Sequence, residues 1–226
     1  MGLSQTRLRG DPPTADTATT AGAERLYPNV VRQLALLFRE SAEHAAALLT
    51  RPVARVLDQG AGAAPWSLAV AKRHPGCIVT AVQLPGVMPS TRFAVRAAGL
   101  ERQYVFVEGD AFDIDWGARA SFDLAFVANL CHLFDEEANV RLLRRVAEAL
   151  GPGGSIAVVD VLASERGDGP RVAVLYALGL LLRTTRGRIY PYSTFRRWLE
   201  EGGFEDVRRR DLVDAFPLSL IRARRR

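Results

Sequence analysis

Apolar residues recur at helical spacing from about Glu24 to Thr50, with Val31, Leu34, Leu37 and Phe38 on one face, which predicts one long helix or two. Beyond residue 50 the pattern changes to short apolar runs alternating with amphipathic ones. ARVLDQ (54–59), CIVTAVQ (77–83), YVFVEGD (104–110), FDLAFVANL (122–130) and SIAVVDV (155–161) read as buried strands. Between them PWSLAVAKRH, VMPSTRFAVRAAGL and EEANVRLLRRVAEAL read as helices, the last stopped by GPGG. Strands alternating with helices imply a parallel sheet covered on both faces. GPRVAVLYALGLLLRT is then an apolar helix, and STFRRWLEEGGF another, with Ser193 or Thr194 as candidate cap. EDVRRRDL and LSLIRAR close the chain as two strands suited to an antiparallel hairpin, so the expected fold is α/β with seven strands. Residues 1–22, rich in Thr, Ala, Gly, Asp and Pro, read as a disordered leader. The expected organisation is therefore leader 1–22, helical segment 23–50 and α/β domain 51–226.

Composition narrows the function classes. A chain of 226 residues with 48% hydrophobic residues suits one domain with a proper core. Its best candidate for a membrane span, VAVLYALGLLL, has about half of the ~20 residues a spanning helix needs. The N-terminus has no apolar h-region of a secretory signal, and both points favour the cytoplasm. Cys77 and Cys131 each sit in apolar runs and read as reduced core thiols. With two cysteines and three scattered histidines, no metal site is expected. The net charge of +5 collects at the C-terminal end, in RRRD and RARRR, without a basic stripe interleaved with aromatics, so neither nucleic acid nor membrane is an expected partner. Lys72 is the only lysine beside many arginines and alanines, a composition of GC-rich bacterial genomes.

The chemistry concentrates at the ends of the strands. VLDQGAGAAPW puts Gly60 and Gly62 directly after the first strand and just before a helix. Such a turn lets a ligand approach the backbone, and the helix start offers free N–H groups. A tight turn without ligand is the bland alternative. A dinucleotide site would place a third glycine at 65, where this chain has Pro65, and Asp58 ahead of the glycines instead favours a D-x-G-x-G turn for S-adenosylmethionine (SAM).

Further pieces fall in register: LDQGAG after the first strand, VQLPGV after the second, EGDAF after the third and ANLCHLFDEE after the fourth. In this order and spacing the chain resembles the class I small-molecule O-methyltransferases of plants and bacteria, of the caffeic acid and hydroxyneurosporene type, over roughly residues 24–223. The CHLFDE element followed by a helix and GPGG is its most specific part. The resemblance implies a Rossmann-like seven-stranded sheet with a terminal hairpin, and SAM as cofactor. By it, Asp58, Gly60 and Gly62 line the methionine end. Residue 83, with Leu84 beside it, holds the ribose, while Asp110 faces the adenine amino group and Ala111 and Phe112 lie beside the ring.

The same resemblance makes His132 the base that removes the proton of an acceptor hydroxyl, oriented by Asp160 at the end of the fifth strand. The chemistry demands such a group: a neutral phenol is a poor nucleophile, and a neutral imidazole accepts a proton near pH 7. A structural histidine opening the next helix is the alternative. Asp135 and Glu136 suit the start of that helix, and His44 and His74 read as helix-face residues. The acceptor, a flat, apolar, natural-product-like aromatic, is expected among Tyr27, Phe134, Tyr176, Leu180, Tyr190 and Tyr192, each of which equally suits core packing.

Four positions depart from the family pattern. Gln83 stands where an aspartate holds both ribose hydroxyls, Ala63 and Ala64 stand where a small polar residue and a glycine are usual, and Leu133 replaces the aspartate after the histidine. Losing a charged hydrogen bond costs on the order of 1.5–3 kcal/mol. These departures keep a second reading open, a methyltransferase-like protein that has lost methyl transfer. It would catalyse another natural-product reaction, such as a cyclisation, hydroxylation or decarboxylation, or serve as a non-catalytic partner subunit. A nicotinamide oxidoreductase lacks its third glycine. The resembling enzymes carry a long N-terminal helical domain that dimerises, and only about fifty residues precede the first strand here. The expectation is a shortened member, a fragment, or a chain completed by a partner, with a homodimer or a methyltransferase-like partner chain as its association.

Overall fold

The structure is a computed structural model that describes residues 12–13, 15–115, 120–212 and 216–226. Its strands are β1 (Arg55–Gln59), β2 (Ile78–Gln83), β3 (Tyr104–Glu108), β4 (Phe122–Ala128), β5 (Leu150–Ala163), a short β6 (Tyr190–Pro191), β7 (Phe204–Asp211) and β8 (Leu218–Arg225). They form one sheet in the order β3-β2-β1-β4-β5-β8-β7, with β6 beside the end of β5. The first five strands are mutually parallel, whereas β8 runs antiparallel between β5 and β7. The seven-stranded order with its terminal hairpin is the expected fold, with a two-residue eighth strand added.

The apolar runs are explained by burial on both faces. Val56, Val79, Ala81, Leu124 and Phe126 pack on one side with Ala42, Ala45, Trp66 and Val70. Their neighbours Leu57, Val82, Ala125 and Val127 pack on the other with Leu142, Leu143, Val146, Trp198 and Leu199. That alternation is the pleat of each strand read out as two cores. The covering helices are α1 (Thr20–Leu26), α2 (Val31–Leu37), α3 (Arg39–Leu48), α4 (Pro65–Arg73), α5 (Met88–Ala97), α6 (Glu136–Ala149), α7 (Arg171–Arg183) and α8 (Tyr192–Glu201).

Several local expectations need correction. The N-terminal helical segment is three helices, because a 3-10 turn at Tyr27–Asn29 containing Pro28 separates α1 from α2, and Phe38 leaves helical geometry between α2 and α3. Residues 1–11 and 14 of the expected leader lie outside the described residues, but its end is a strap docked on the molecule. Thr17 is buried and donates through N–H and Oγ1 to the Arg183 carbonyl at 2.8 and 3.1 Å. Thr19 caps α1 by accepting from the Gly22 N–H at 3.1 Å. Any side chain at Gly22 would overlap the Asp16 backbone, so the strap turns only on glycine.

At α6 the cap is as read: Asp135 accepts from the Ala138 N–H at 3.0 Å, with Glu136 and Glu137 in the first turn. GPGG does more than end that helix. It enters β5, where a Cβ on Gly154 would lie 3.0 Å from the Phe122 carbonyl oxygen. Neither Ser193 nor Thr194 caps α8, which starts after Pro191; the Ser193 N–H and hydroxyl both donate to Glu165.

Candidate active site

The strand order reverses direction at β1, whose neighbours β2 and β4 carry the chain to opposite sides, so a crevice opens beyond the C-terminal ends of the strands. The turn after β1 borders it. Gly60 and Gly62 have φ of +69° and +59°, and the Gly60 and Ala61 N–H groups donate to the Val82 carbonyl at 3.0 and 3.1 Å. Ala64, fully buried, also lies in the left-handed region at φ +57°, which costs an L-residue about 1–2 kcal/mol.

The crevice holds a cavity of about 950 Å³, its open mouth included. Gly60 to Ala63, Gln83 and Leu84, Gly109 to Ala111, and Asn129 to Leu130 with Leu133 and Phe134 form its walls, and the Thr17–Thr20 strap and Tyr27 close it. The pairing of β2 with β3 puts Gln83 opposite Glu108, and Gly109 N–H donates to the Gln83 carbonyl at 3.0 Å, so positions 83 and 110 share one rim. Asp110 Oδ1 accepts from the Phe112 N–H at 3.0 Å and Oδ2 from the Thr20 hydroxyl at 2.7 Å. The Gln83 side-chain oxygen accepts from the Leu84 N–H at 2.7 Å. Gln83 thus presents a neutral amide, with its NH2 donor and one carbonyl lone pair, where an aspartate would offer a charged acceptor.

Asp58 is placed differently from the expectation. It is buried, its Oδ2 accepts from the Ser67 hydroxyl, and Tyr104 O–H donates to Ser67 Oγ at 3.0 Å. It does not line the cavity. Burial pushes its carboxyl up to about 6, only partly opposed by the Ser67 hydrogen bond. Phe112 also stands behind the wall, edge-on to Phe134 with ring centroids 4.9 Å apart.

His132 lies in a 3-10 turn, Cys131–Leu133, just past β4, and is 2% exposed. Its Nδ1 is 2.7 Å from Asp160 Oδ1, and its backbone N–H donates to Asp160 Oδ2 at 3.2 Å. Val161 N–H also donates to Oδ1, at 2.8 Å, so a fully buried carboxylate collects three donors at the end of β5. A carboxylate only accepts, which puts the imidazole proton on Nδ1 and leaves Nε2 as the acceptor. That nitrogen is met by the Tyr176 hydroxyl at 2.9 Å, and the Tyr176 oxygen accepts from Arg183 Nη2 at 3.1 Å. Burial drives the Tyr176 hydroxyl above its ordinary range.

The remaining expected pocket residues divide. Tyr27 and Phe134 line the cavity and Tyr176 covers His132, but Leu180 is buried in α7. Tyr190 packs on Trp198 at 4.5 Å and donates to the Phe134 carbonyl at 2.7 Å, and Tyr192 donates to the Val207 carbonyl at 3.0 Å. Thr17, Thr20 and Arg183 were missed. The signal for Arg183 was available: it closes an apolar helix seven residues after Tyr176, which is two turns and the same face. Among the described residues no three His, Cys, Asp or Glu side chains gather as metal ligands, and no helix is long and apolar enough to cross a membrane. Cys77 and Cys131 are buried free thiols, both pushed up by burial.

The family model for the O-methyltransferase domain matches residues 10–205. The chain belongs to that family. Within it, the chain is 28% identical over 156 residues to a 3-hydroxy-5-methyl-1-naphthoate 3-O-methyltransferase of Streptomyces sahachiroi, covering 69% of this chain and 44% of the relative. It is 30% identical over 187 residues to a mitomycin biosynthesis 6-O-methyltransferase of Streptomyces lavendulae, covering 82% and 51%. A candidate O-methyltransferase of Nostoc punctiforme superposes with a TM-score of 0.87 at 22% identity, over 99% of this chain and 66% of that one. This O-methyltransferase domain thus spans about half the length of the curated relatives it matches. Its residues fit the family's cofactor at two ends. The left-handed Gly60–Gly62 turn leaves the backbone open for a methionine, and Asp110 beside the apolar Leu84 and Ala111 suits an adenine. Position 83, expected at the ribose, carries an amide in place of a carboxylate.

Proposed function

We propose that this chain forms the catalytic domain of a SAM-dependent O-methyltransferase acting on a hydroxyl of a small aromatic, natural-product-like molecule. The observation that carries the proposal is the buried His132–Asp160 pair at 2.7 Å, beside the strand-end crevice. SAM, when bound, supplies an electrophilic methyl group. Asp160 fixes the imidazole with its lone pair on Nε2, the orientation a general base needs. Nε2 then takes the acceptor's proton once Tyr176 yields its place. Leu130, Leu133 and Phe134 give the crevice beside His132 an apolar wall, which lowers the local dielectric and strengthens polar contacts there. The aromatic acceptors named for the two Streptomyces relatives support the substrate class.

The reading in which methyl transfer has been lost is not favoured, because Asp160 and His132 keep base geometry despite Gln83 and Leu133. The partner reading belongs with the main one. Val172, Leu175, Leu178 and Leu181 point outward from α7, as do Leu36 and Leu37 from α2, and such apolar rows suit a second copy of the chain. A small-molecule acceptor and SAM are cytoplasmic reagents, so the cytoplasm is the proposed compartment.

The test is methyl transfer from isotopically labelled SAM to a panel of hydroxyarenes. His132→Ala is expected to lower turnover by about 10²–10⁴-fold, the usual contribution of a positioned base. Unchanged turnover in that variant removes the base assignment.

A further inference from the structure

We propose that Arg183 selects the acceptor, by binding an anionic oxygen on a hydroxyarene whose reacting hydroxyl sits on His132 Nε2; the inference rests on the base role proposed above. Arg183 closes α7 and is only partly exposed, yet among the described residues it pairs with no carboxylate. Its partners are two phenols, Tyr176 at 3.1 Å and Tyr27 at 3.5 Å. Other arginines in reach of acids, such as Arg92, Arg197 and Arg224, sit on the surface in ion pairs. The buried Asp160 lies at the far end of the Arg183–Tyr176–His132 chain of hydrogen bonds, but the groups that touch the guanidinium are neutral phenols, and a carboxylate in their place would meet it with paired, charge-assisted hydrogen bonds.

The positions define what the anion must be attached to. Tyr176 is a phenol held between a base at 2.9 Å and a cation at 3.1 Å, which is the position proposed for the acceptor. An acceptor hydroxyl in the place of the Tyr176 oxygen leaves the guanidinium within reach of an oxygen on the adjoining ring carbon. Tyr27, the second phenol on Arg183, lines the cavity, so the guanidinium stands directly behind the wall that an entering ring meets. An aromatic carboxylate with the hydroxyl on the neighbouring carbon satisfies both groups at once. A plain phenol satisfies only His132.

Binding of 3-hydroxy-2-naphthoate, its methyl ester and 2-naphthol to the purified full chain, followed by calorimetry, tests this. The wild type is expected to hold the acid about ten- to a hundredfold more tightly than the ester or the naphthol, the worth of one charged hydrogen bond. Arg183→Gln is expected to erase that preference with 2-naphthol affinity within about threefold of wild type, and Arg183→Lys to restore part of it. Equal binding of acid and ester by the wild type, absence of acid binding up to millimolar, or a preference that survives in Arg183→Gln overturns the proposal. The wild-type comparison of acid with ester stands even if a variant does not fold. His132→Ala separates the two readings. Loss of methyl transfer with the acid preference kept supports both, and methyl transfer that persists with the preference kept removes the base while leaving the anion site.

Discussion

Replacing Asp58 by Asn tests whether the first carboxylate of the glycine-loop motif serves the core or the cofactor. Asp58 is 1% exposed and bonded to Ser67, and its carboxyl moves from an ordinary 3.8 to about 6. The folded state therefore binds this proton more tightly than the unfolded chain. Its contribution to stability is complete below about pH 4, is lost as pH rises toward 6, and is absent above. A displacement of about two pH units is worth about 3 kcal/mol, of which about 2 kcal/mol falls between pH 4.5 and pH 8. Urea unfolding of wild type and Asp58→Asn across that range should show the variant gaining about 2 kcal/mol relative to wild type at the alkaline end. Any constant cost of the amide's own hydrogen bonding cancels in this difference. So do the opposite contributions of Asp16, Glu136 and Asp211, whose carboxyls are lowered in both proteins. SAM affinity should stay within about threefold, because the carboxylate faces Ser67 and not the cavity. A pH-independent difference, or a variant that folds but loses SAM, would refute the reasoning and return Asp58 to the methionine end of the site.

Restoring a carboxylate with Gln83→Asp should tighten SAM by about ten- to a hundredfold in calorimetry, since a carboxylate makes charged hydrogen bonds to a diol where the present amide is neutral; an unchanged affinity means that position 83 does not face the ribose. Gly22→Ala should free the strap without unfolding the domain, because its new methyl meets the Asp16 backbone; amide exchange at Thr17 should rise more than tenfold while the urea midpoint barely moves. Leu178→Glu, on the outward face of α7, should convert a sedimenting dimer to monomer with little change in melting temperature; a wild type that sediments as a monomer ends the second-copy reading.

What was legible in the sequence is what local chemistry dictates. The five apolar runs separated by amphipathic ones mark strands buried on both faces of a parallel sheet, and the family resemblance supplies the order in which they pair. The Gly60–Gly62 turn and the Asp135 cap were legible for the same reason: each lies at the end of a strand or helix whose position the pattern sets. The His132–Asp160 pair was legible only through the family resemblance. The groups that escaped are those whose partners are remote. Thr17 and Arg183 are 166 positions apart and meet through one backbone carbonyl, and a Thr-rich stretch of low hydropathy carries no local mark of that pairing. Asp58 turns away from the cavity for a different reason. A motif names a residue type at the right position but does not say which way the carboxylate turns, and here Ser67 and Tyr104 offer it hydroxyls inside the core.

The same distinction bears on why the departures at 64, 83 and 133 coexist with an intact His132–Asp160 pair. The pair is held by the sheet itself: Asn129 N–H donates to the Val159 carbonyl at 2.7 Å, and Asp160, one residue on, pairs with Ser219 of β8 and has three donors on its carboxylate. Changing it leaves a buried donor unpaired, at about 1–3 kcal/mol for each. The cofactor rim is held by loops and by the strap, where Thr20 reaches Asp110 and Glu24 accepts from the Gly86 N–H at 2.7 Å. A weaker contact at Gln83 would cost affinity but not the fold, whereas loss of the base pair would disturb the sheet that anchors it.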